Sequence, residues 1–65
     1  MIKKVALMKR NEAGQWMYKL IRINEITTNH VVAADWQYGP FEFEECKAQV
    51  WGRYGTDWKI EVVAS

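Results

Sequence analysis

Two segments near the start of the chain, residues 2–10 and 15–23, are rich in β-branched, aromatic and long apolar residues. Between them lies Asn11-Glu12-Ala13-Gly14, which combines a residue typical of turns with a glycine that adopts positive φ without strain. The pattern predicts a β-hairpin. A symmetric four-residue loop would pair Arg10 with Gln15, whereas a bulged three-residue loop that uses Gly14 would sort the side chains differently.

The hairpin is apolar on both faces when the four-residue loop sets its register. One face then carries Val5, Leu7, Trp16, Tyr18 and Leu20, with Lys3, Lys9 and Arg22 near its ends. The other carries Ile2, Ala6, Met8, Met17, Ile21 and Ile23, with Lys4, Arg10 and Lys19 among them. Because successive side chains of a strand point to opposite faces, both sides of this hairpin need cover from water.

Residues 30–38 alternate in side-chain character, after a polar turn predicted for residues 24–29. The alternation predicts a third strand with one apolar face. That face carries Val32, Ala34, Trp36 and Tyr38. Gly39 and Pro40 end the strand, because proline fixes φ and has no N–H to donate to a ladder.

A helical pattern follows at residues 42–54, where apolar side chains recur at about 100° per residue. The apolar stripe consists of Phe43, Cys46, Val50, Trp51 and Tyr54. Acidic residues fill the first turn and Arg53 lies near the last, which suits the helix dipole, and Gly55 follows as the predicted cap. Residues 58–63 then alternate again and predict a closing strand.

The order of elements is therefore β-β-β-α-β within a single domain of residues 1–65. The predicted class is α+β, with one sheet in the possible strand order 3-2-1-4, which places the two most apolar strands at its centre. One helix covers one face of such a sheet. The second face is left for water or for a partner, and the apolar content of the hairpin favours a partner.

The composition favours self-association. A domain of 65 residues buries a small share of its surface, and Cys46 stands alone, so no internal disulfide compensates. The chain is 49% hydrophobic with four tryptophans, which makes oligomerisation the natural source of extra burial. The apolar run at residues 5–8 is too short for a secretory signal, and no run is long enough to span a bilayer. We therefore expect a cytoplasmic protein with no membrane partner.

The charges divide unevenly along the chain. Residues 1–23 carry six lysines and arginines against Glu12 alone, whereas residues 24–65 carry seven acidic residues against Lys47, Arg53 and Lys59. The halves are therefore +5 and −4 on a chain of net charge +1. A basic half is typical of a surface for nucleic acid or for an acidic protein, and it is equally satisfied by the chain's own acidic half.

The sequence offers no catalytic or metal-binding constellation. Cys46 falls in the apolar stripe, where a small buried core residue is the commoner role, and His30 is the only imidazole and lies beside a turn. Glu42, Glu44 and Glu45 suit the positive end of the helix dipole and have no histidine nearby to complete a metal site. We therefore expect no enzyme activity, no cofactor and no metal.

The passage Trp36-Gln37-Tyr38-Gly39-Pro40-Phe41, followed by Glu44-Glu45-Cys46 and a helix, resembles one strand-turn-helix half of the SPOR family, which binds the glycan strands of peptidoglycan. The resemblance rests on the Gly-Pro-Phe turn and the glutamine two residues before it, and it covers less than half of the chain. That family has two such halves and works outside the cytoplasm, whereas the first half here is a hairpin with no helix. The resemblance therefore implies a shared local turn, and no site or function is carried over from it.

The sequence favours a non-enzymatic module that binds another protein, acting as a homodimer through the uncovered sheet face or an edge strand. The contact residues predicted on the four-residue register are Lys4, Arg10, Met17, Lys19 and Ile21. The alternative is nucleic-acid binding through the basic N-terminal hairpin. Basic and aromatic residues alternate there, as they do in sheets that bind single-stranded nucleic acid by stacking its bases on aromatic rings. These residues are Lys9, Trp16, Tyr18, Lys19 and Arg22.

Overall fold

The chain folds into one mixed β-sheet with a helix on one side. The computed structural model describes residues 2–24 and 31–63; His30 and residues 25–29 of the predicted turn lie outside these ranges. In chain order the elements are β1 Ile2–Arg10, β2 Trp16–Asn24, β3 Val31–Ala33, β4 Gln37–Tyr38, α1 Phe43–Tyr54 and β5 Lys59–Val62. The strands lie in the order β3-β2-β1-β5, and β4 pairs with β2 beyond the end of β3. The predicted α+β class, strand order and helix are confirmed for this part of the chain.

Asn11 organises the loop between β1 and β2. Its amide donates to the carbonyl of Gln15 at 2.9 Å, and its side-chain Oδ1 accepts from the amides of Ala13 and Gln15, both at 2.9 Å. Gly14 has a φ of 84° and donates its amide to the Asn11 carbonyl at 3.0 Å. Asn11 and Gln15 therefore face each other across a three-residue loop, which is the bulged alternative that uses Gly14.

The register that follows from a four-residue loop, with Arg10 opposite Gln15, is not the one formed, because Arg10 pairs with Trp16. A shift of one residue moves all side chains of a strand to the other face of the sheet. The face that packs against α1 carries Ala6, Met8, Trp16, Tyr18 and Leu20. The opposite face carries Val5, Leu7, Met17, Ile21 and Ile23.

The predicted third strand, residues 30–38, is two short strands with a break between them. β3 is in register with β2 as far as Ala33, and β4 resumes at Gln37. The three residues between them lie opposite only two residues of β2. This extra residue is a β-bulge, and it shifts the alternation between the two ends of the predicted strand.

Phe43, Cys46 and Val50 of the apolar stripe pack on one face of the sheet and close the core, whereas Trp51 and Tyr54 of the same stripe are exposed. The helix begins at Phe43, one residue after its predicted start, has Arg53 in its last turn and is followed by Gly55 with a φ of 125°. Trp16 of β2 packs edge to face on Phe43, with ring centroids 4.9 Å apart. The buried residues of the core cluster are Ala6, Met8, Tyr18, Cys46, Val50 and Trp58. This core uses the α1 side of the hairpin and leaves the other side unused.

Candidate functional site

The face of the sheet that points away from α1, called the open face from here on, has no helix over it in the described part of the chain. The strand registers place on it Lys3, Val5, Leu7, Lys9, Met17, Lys19, Ile21, Ile23, Tyr38, Lys59 and Glu61. These residues come from four strands. The open face is therefore a continuous surface of the sheet and belongs to no single loop or turn.

The centre of the open face is apolar. Val5 is only 3% exposed because its neighbours on β2 and β5 shield it, and Leu7, Met17 and Ile21 are half-buried. Tyr38, which pairs with Met17, is 69% exposed at one side. An antiparallel sheet that meets water on its second face is normally polar there, so this apolar centre is typical of a surface that a partner covers.

The charges on the open face are mostly positive. Lys3, Lys9, Lys19 and Lys59 stand against one acidic residue, Glu61, among the side chains that the register places there. Lys59 pairs with Glu61 across 3.6 Å. The open face therefore combines an apolar centre with unbalanced positive charge.

The chain's acidic half does not neutralise this face. Of the ion pairs within residues 2–24 and 31–63, one joins the two halves: the Lys4 ammonium lies 2.8 Å from Oδ2 of Asp57, on the α1 side. Hydrogen bonding to Lys4 lowers the pKa of the Asp57 carboxyl below its ordinary value. The other pairs, Lys47 with Glu44 and Lys59 with Glu61, lie within single elements.

Aromatic rings and a depression lie at the hairpin end of the open face. The Lys9 ammonium is 4.4 Å from the centre of the Trp36 ring, which is a cation–π contact. A depression of about 470 Å³ opens there, lined by Lys9, Arg10, Asn11, Glu12, Met17 and Tyr38. Its basic and apolar lining suits an acidic or amphipathic side chain of a partner.

Three of the five predicted contact residues, Met17, Lys19 and Ile21, lie on the open face. The other two do not. Lys4 binds Asp57 on the α1 side, and the Arg10 guanidinium lies 5.2 Å from the centre of the Trp16 ring. The prediction that all five lie on one surface is wrong, because it depends on the register of a four-residue loop and the chain forms the three-residue loop.

The predicted contact residues do not include the other eight residues of the open face, and four of these show why. Leu7 and Lys9 join Met17 only in the bulged register, and the glycine at position 14 was the signal for that loop. Tyr38 and Lys59 arrive through β4 and β5, whose pairing with the hairpin depends on the whole fold.

The cysteine and the acidic residues at the start of α1 lie in different environments. Cys46 is fully buried beneath the sheet, and burial raises the pKa of its thiol, which keeps it protonated and unreactive at neutral pH. Glu42, Glu44 and Glu45 are exposed at the start of α1. Within the described residues, no three acidic, histidine or cysteine side chains are grouped in a way that would hold a metal ion.

Among the described residues, no helix has the length and apolar character needed to cross a membrane. Comparisons of the chain with family models, with curated proteins and with solved structures found no match.

Proposed function

We propose that the protein is a non-enzymatic binding module that works as a homodimer and takes a partner protein with an acidic surface on its open face. One observation carries this proposal: within residues 2–24 and 31–63, the open face joins an apolar centre to four lysines against one carboxylate, Glu61. Such a surface gains free energy when an apolar patch covers it and carboxylates surround that patch.

The charge on the open face also argues against a second copy on that same surface. Two copies stacked through this face would bring together two surfaces of net positive charge, each carrying Lys3, Lys9 and Lys19. Like charges brought together across an interface oppose association, so the surface suits an acidic partner better than itself. We place the module in the cytoplasm, where the buried thiol of Cys46 stays reduced.

A pair of charge-reversal variants tests this assignment. Lys19→Glu changes the charge of the open face, and Arg53→Glu changes the charge by the same amount at an exposed position of α1. Tagged wild type and both variants are used at low salt to capture proteins from cells that carry the gene, after circular dichroism has shown that each is folded. Wild type and Arg53→Glu are expected to retain the same acidic protein. Lys19→Glu is expected to lose it, because a carboxylate on the open face repels the partner's carboxylates. Low salt is used because salt screens the attraction between exposed charges.

Equal retention by all three proteins would contradict the proposal, and so would loss in Arg53→Glu alone. A captured protein with a basic surface would contradict the charge argument in particular.

Nucleic-acid binding is the second candidate function. It is favoured by the meeting of Lys9, Lys19, Trp36 and Tyr38 at one side of the sheet, where bases would stack and phosphates would pair with ammonium groups. Two other aromatic residues of the hairpin are engaged elsewhere, since Tyr18 is buried and Trp16 packs on Phe43. Fluorescence anisotropy with a labelled oligothymidylate is the test. Affinity that falls steeply with salt would support this candidate, and no binding at low salt would remove it.

A further inference from the structure

The outer edge of β5 carries backbone groups that point away from the sheet. The amide of Val63 donates to the carbonyl of Met8 at 2.9 Å, so the backbone of Val63 faces β1. Alternate residues of a strand direct their N–H and C=O to opposite sides. The groups of Lys59 and Glu61 therefore also face β1, and those of Ile60 and Val62 face outwards. No strand within residues 2–24 or 31–63 pairs with this outer side.

The start of this edge is capped by a side chain. The indole N–H of Trp51 on α1 donates to the outward carbonyl of Trp58 at 2.9 Å. The open part of the edge thus begins at Ile60. It continues through Val62, whose side chain is 58% exposed.

We propose that a second copy of the chain pairs with this edge, antiparallel and centred on Ile60, so that the two sheets become one. This inference rests on the homodimer in the proposed function and names its interface. In this register Ile60 of each copy exchanges two backbone hydrogen bonds with Ile60 of the other. The Val62 amide meets the Trp58 carbonyl of the second copy, which keeps a lone pair beside the Trp51 indole.

The charges on β5 favour this occupant and this register. Lys59 of one copy lies directly opposite Glu61 of the other, twice over, in the non-hydrogen-bonded positions where side chains come closest. A register centred on Glu61 would place Glu61 opposite Glu61 instead. Strand β5 is thus complementary to itself in one register only, and an isologous dimer requires such self-complementarity.

The geometry of this dimer suits a partner with two binding sites. Directly opposite residues of an antiparallel pair lie on the same face of a sheet, so both open faces of the dimer point the same way. A partner with two acidic sites would then bind both faces, and the second contact would form at high effective concentration.

A proline at the outward edge tests the interface. Val62→Pro removes an amide that bonds nothing in the chain's own ladder, and its effect on Glu61 favours the extended conformation already present. Sedimentation velocity over a wide range of concentration measures the association. We expect wild type to sediment as a dimer, and Val62→Pro to be folded by circular dichroism and to associate at least about tenfold more weakly.

Charge variants test the register without altering the backbone. Lys59→Glu and Glu61→Lys each create two like-charge pairs, and each is expected to weaken the dimer about tenfold, whereas the double exchange restores it. Glu61→Gln is expected to weaken the dimer centred on Ile60. It would strengthen a dimer centred on Glu61, and that result would overturn the proposed register.

The outcomes separate this inference from the proposed function. If Val62→Pro remains as dimeric as wild type, the edge inference is overturned while the homodimer stands. If wild type is monomeric at every concentration, both the edge inference and the proposed homodimer are overturned. Binding of an acidic partner to the open face is decided separately by the Lys19→Glu experiment.

Discussion

Gly39 fixes the contact between the turn after β4 and helix α1. A Cβ added at this residue would overlap Sγ of Cys46 and lie 3.4 Å from Cδ1 of Tyr18. The Gly39 amide donates to the Trp16 carbonyl at 3.0 Å, and its carbonyl accepts from Nε2 of Gln15 at 2.9 Å. The Gly-Pro turn is therefore held on both sides, which leaves no room for a side chain between it and the core.

Gly39→Ala is expected to lower the free energy of unfolding by about 1–3 kcal/mol, because the buried sulfur and ring must shift. Urea denaturation measures it. The matched control is Gly52→Ala on α1, where an added Cβ meets nothing within 4 Å. That change is expected to stabilise the protein by about 0.5–1 kcal/mol, as alanine in a helix normally does.

A double variant separates steric overlap from other causes. In a Cys46→Ala background the sulfur is gone, so Gly39→Ala should cost clearly less than in the wild type. An unchanged cost would show that the sulfur is not the obstacle.

Two buried groups predict how stability depends on alkaline pH. Burial raises the pKa of the Cys46 thiol above its ordinary 9.0, and burial is also the largest cause of the raised pKa of the Tyr18 phenol, ordinarily 10.0. Each group holds its proton more tightly in the folded state. Its contribution to stability is therefore complete below the ordinary pKa and is lost as the pH rises through the folded value.

Urea midpoints measured from neutral pH to pH 11 should stay level and then fall as the pH rises beyond about 9. Cys46→Ala removes the thiol, so its decline should begin later, where the phenol alone titrates. Identical alkaline profiles for the two proteins would contradict the burial of an ionisable thiol.

Among the secondary-structure elements, the sequence predicts best those for which several local signals agree. α1 combines an apolar stripe, an acidic first turn and a following glycine, and these independent signals agree. The hairpin register lacks such a signal, because either loop leaves both faces of the hairpin apolar. Asn11 decides it through two side-chain bonds to backbone amides, which residue type alone does not specify.

The break in the predicted third strand had no signal of its own. In the sequence, the alternation of residues 30–38 continues through Asp35, and a bulge that inserts one residue is visible only when the partner strand is known. The composition of the open face likewise depends on how the strands pair. Its residues could be assigned only once the hairpin register and the pairing of β4 and β5 were fixed.

Two methionines test the register directly. Met8 is fully buried beneath α1, whereas Met17 lies half-buried on the open face. Met8→Ala should cost about 2–5 kcal/mol of unfolding free energy, and Met17→Ala should cost less than about 1 kcal/mol. In the four-residue register the two side chains share a face. Similar losses from both changes in urea denaturation would therefore contradict the observed pairing.

In the whole molecule, the uneven distribution of charge along the chain makes one surface of the sheet, the open face, predominantly positive. The basic hairpin is the centre of the sheet, and one described ion pair, Lys4 with Asp57, links it to the acidic half. Among the described residues, the lysines of the open face thus outnumber the carboxylates around its apolar centre, where Glu61 pairs with Lys59 alone. This arrangement gives affinity through burial and gives specificity and association rate through charge.

Site-specific photo-cross-linking inside cells that carry the gene tests whether the open face is the surface on which the partner docks. Benzoylphenylalanine replaces exposed Tyr38 on the open face or, as the control, exposed Glu45 on α1. A covalent adduct with an acidic protein is expected from position 38 and none from position 45. Adducts from position 45 alone, or no protein adduct from position 38, would contradict it.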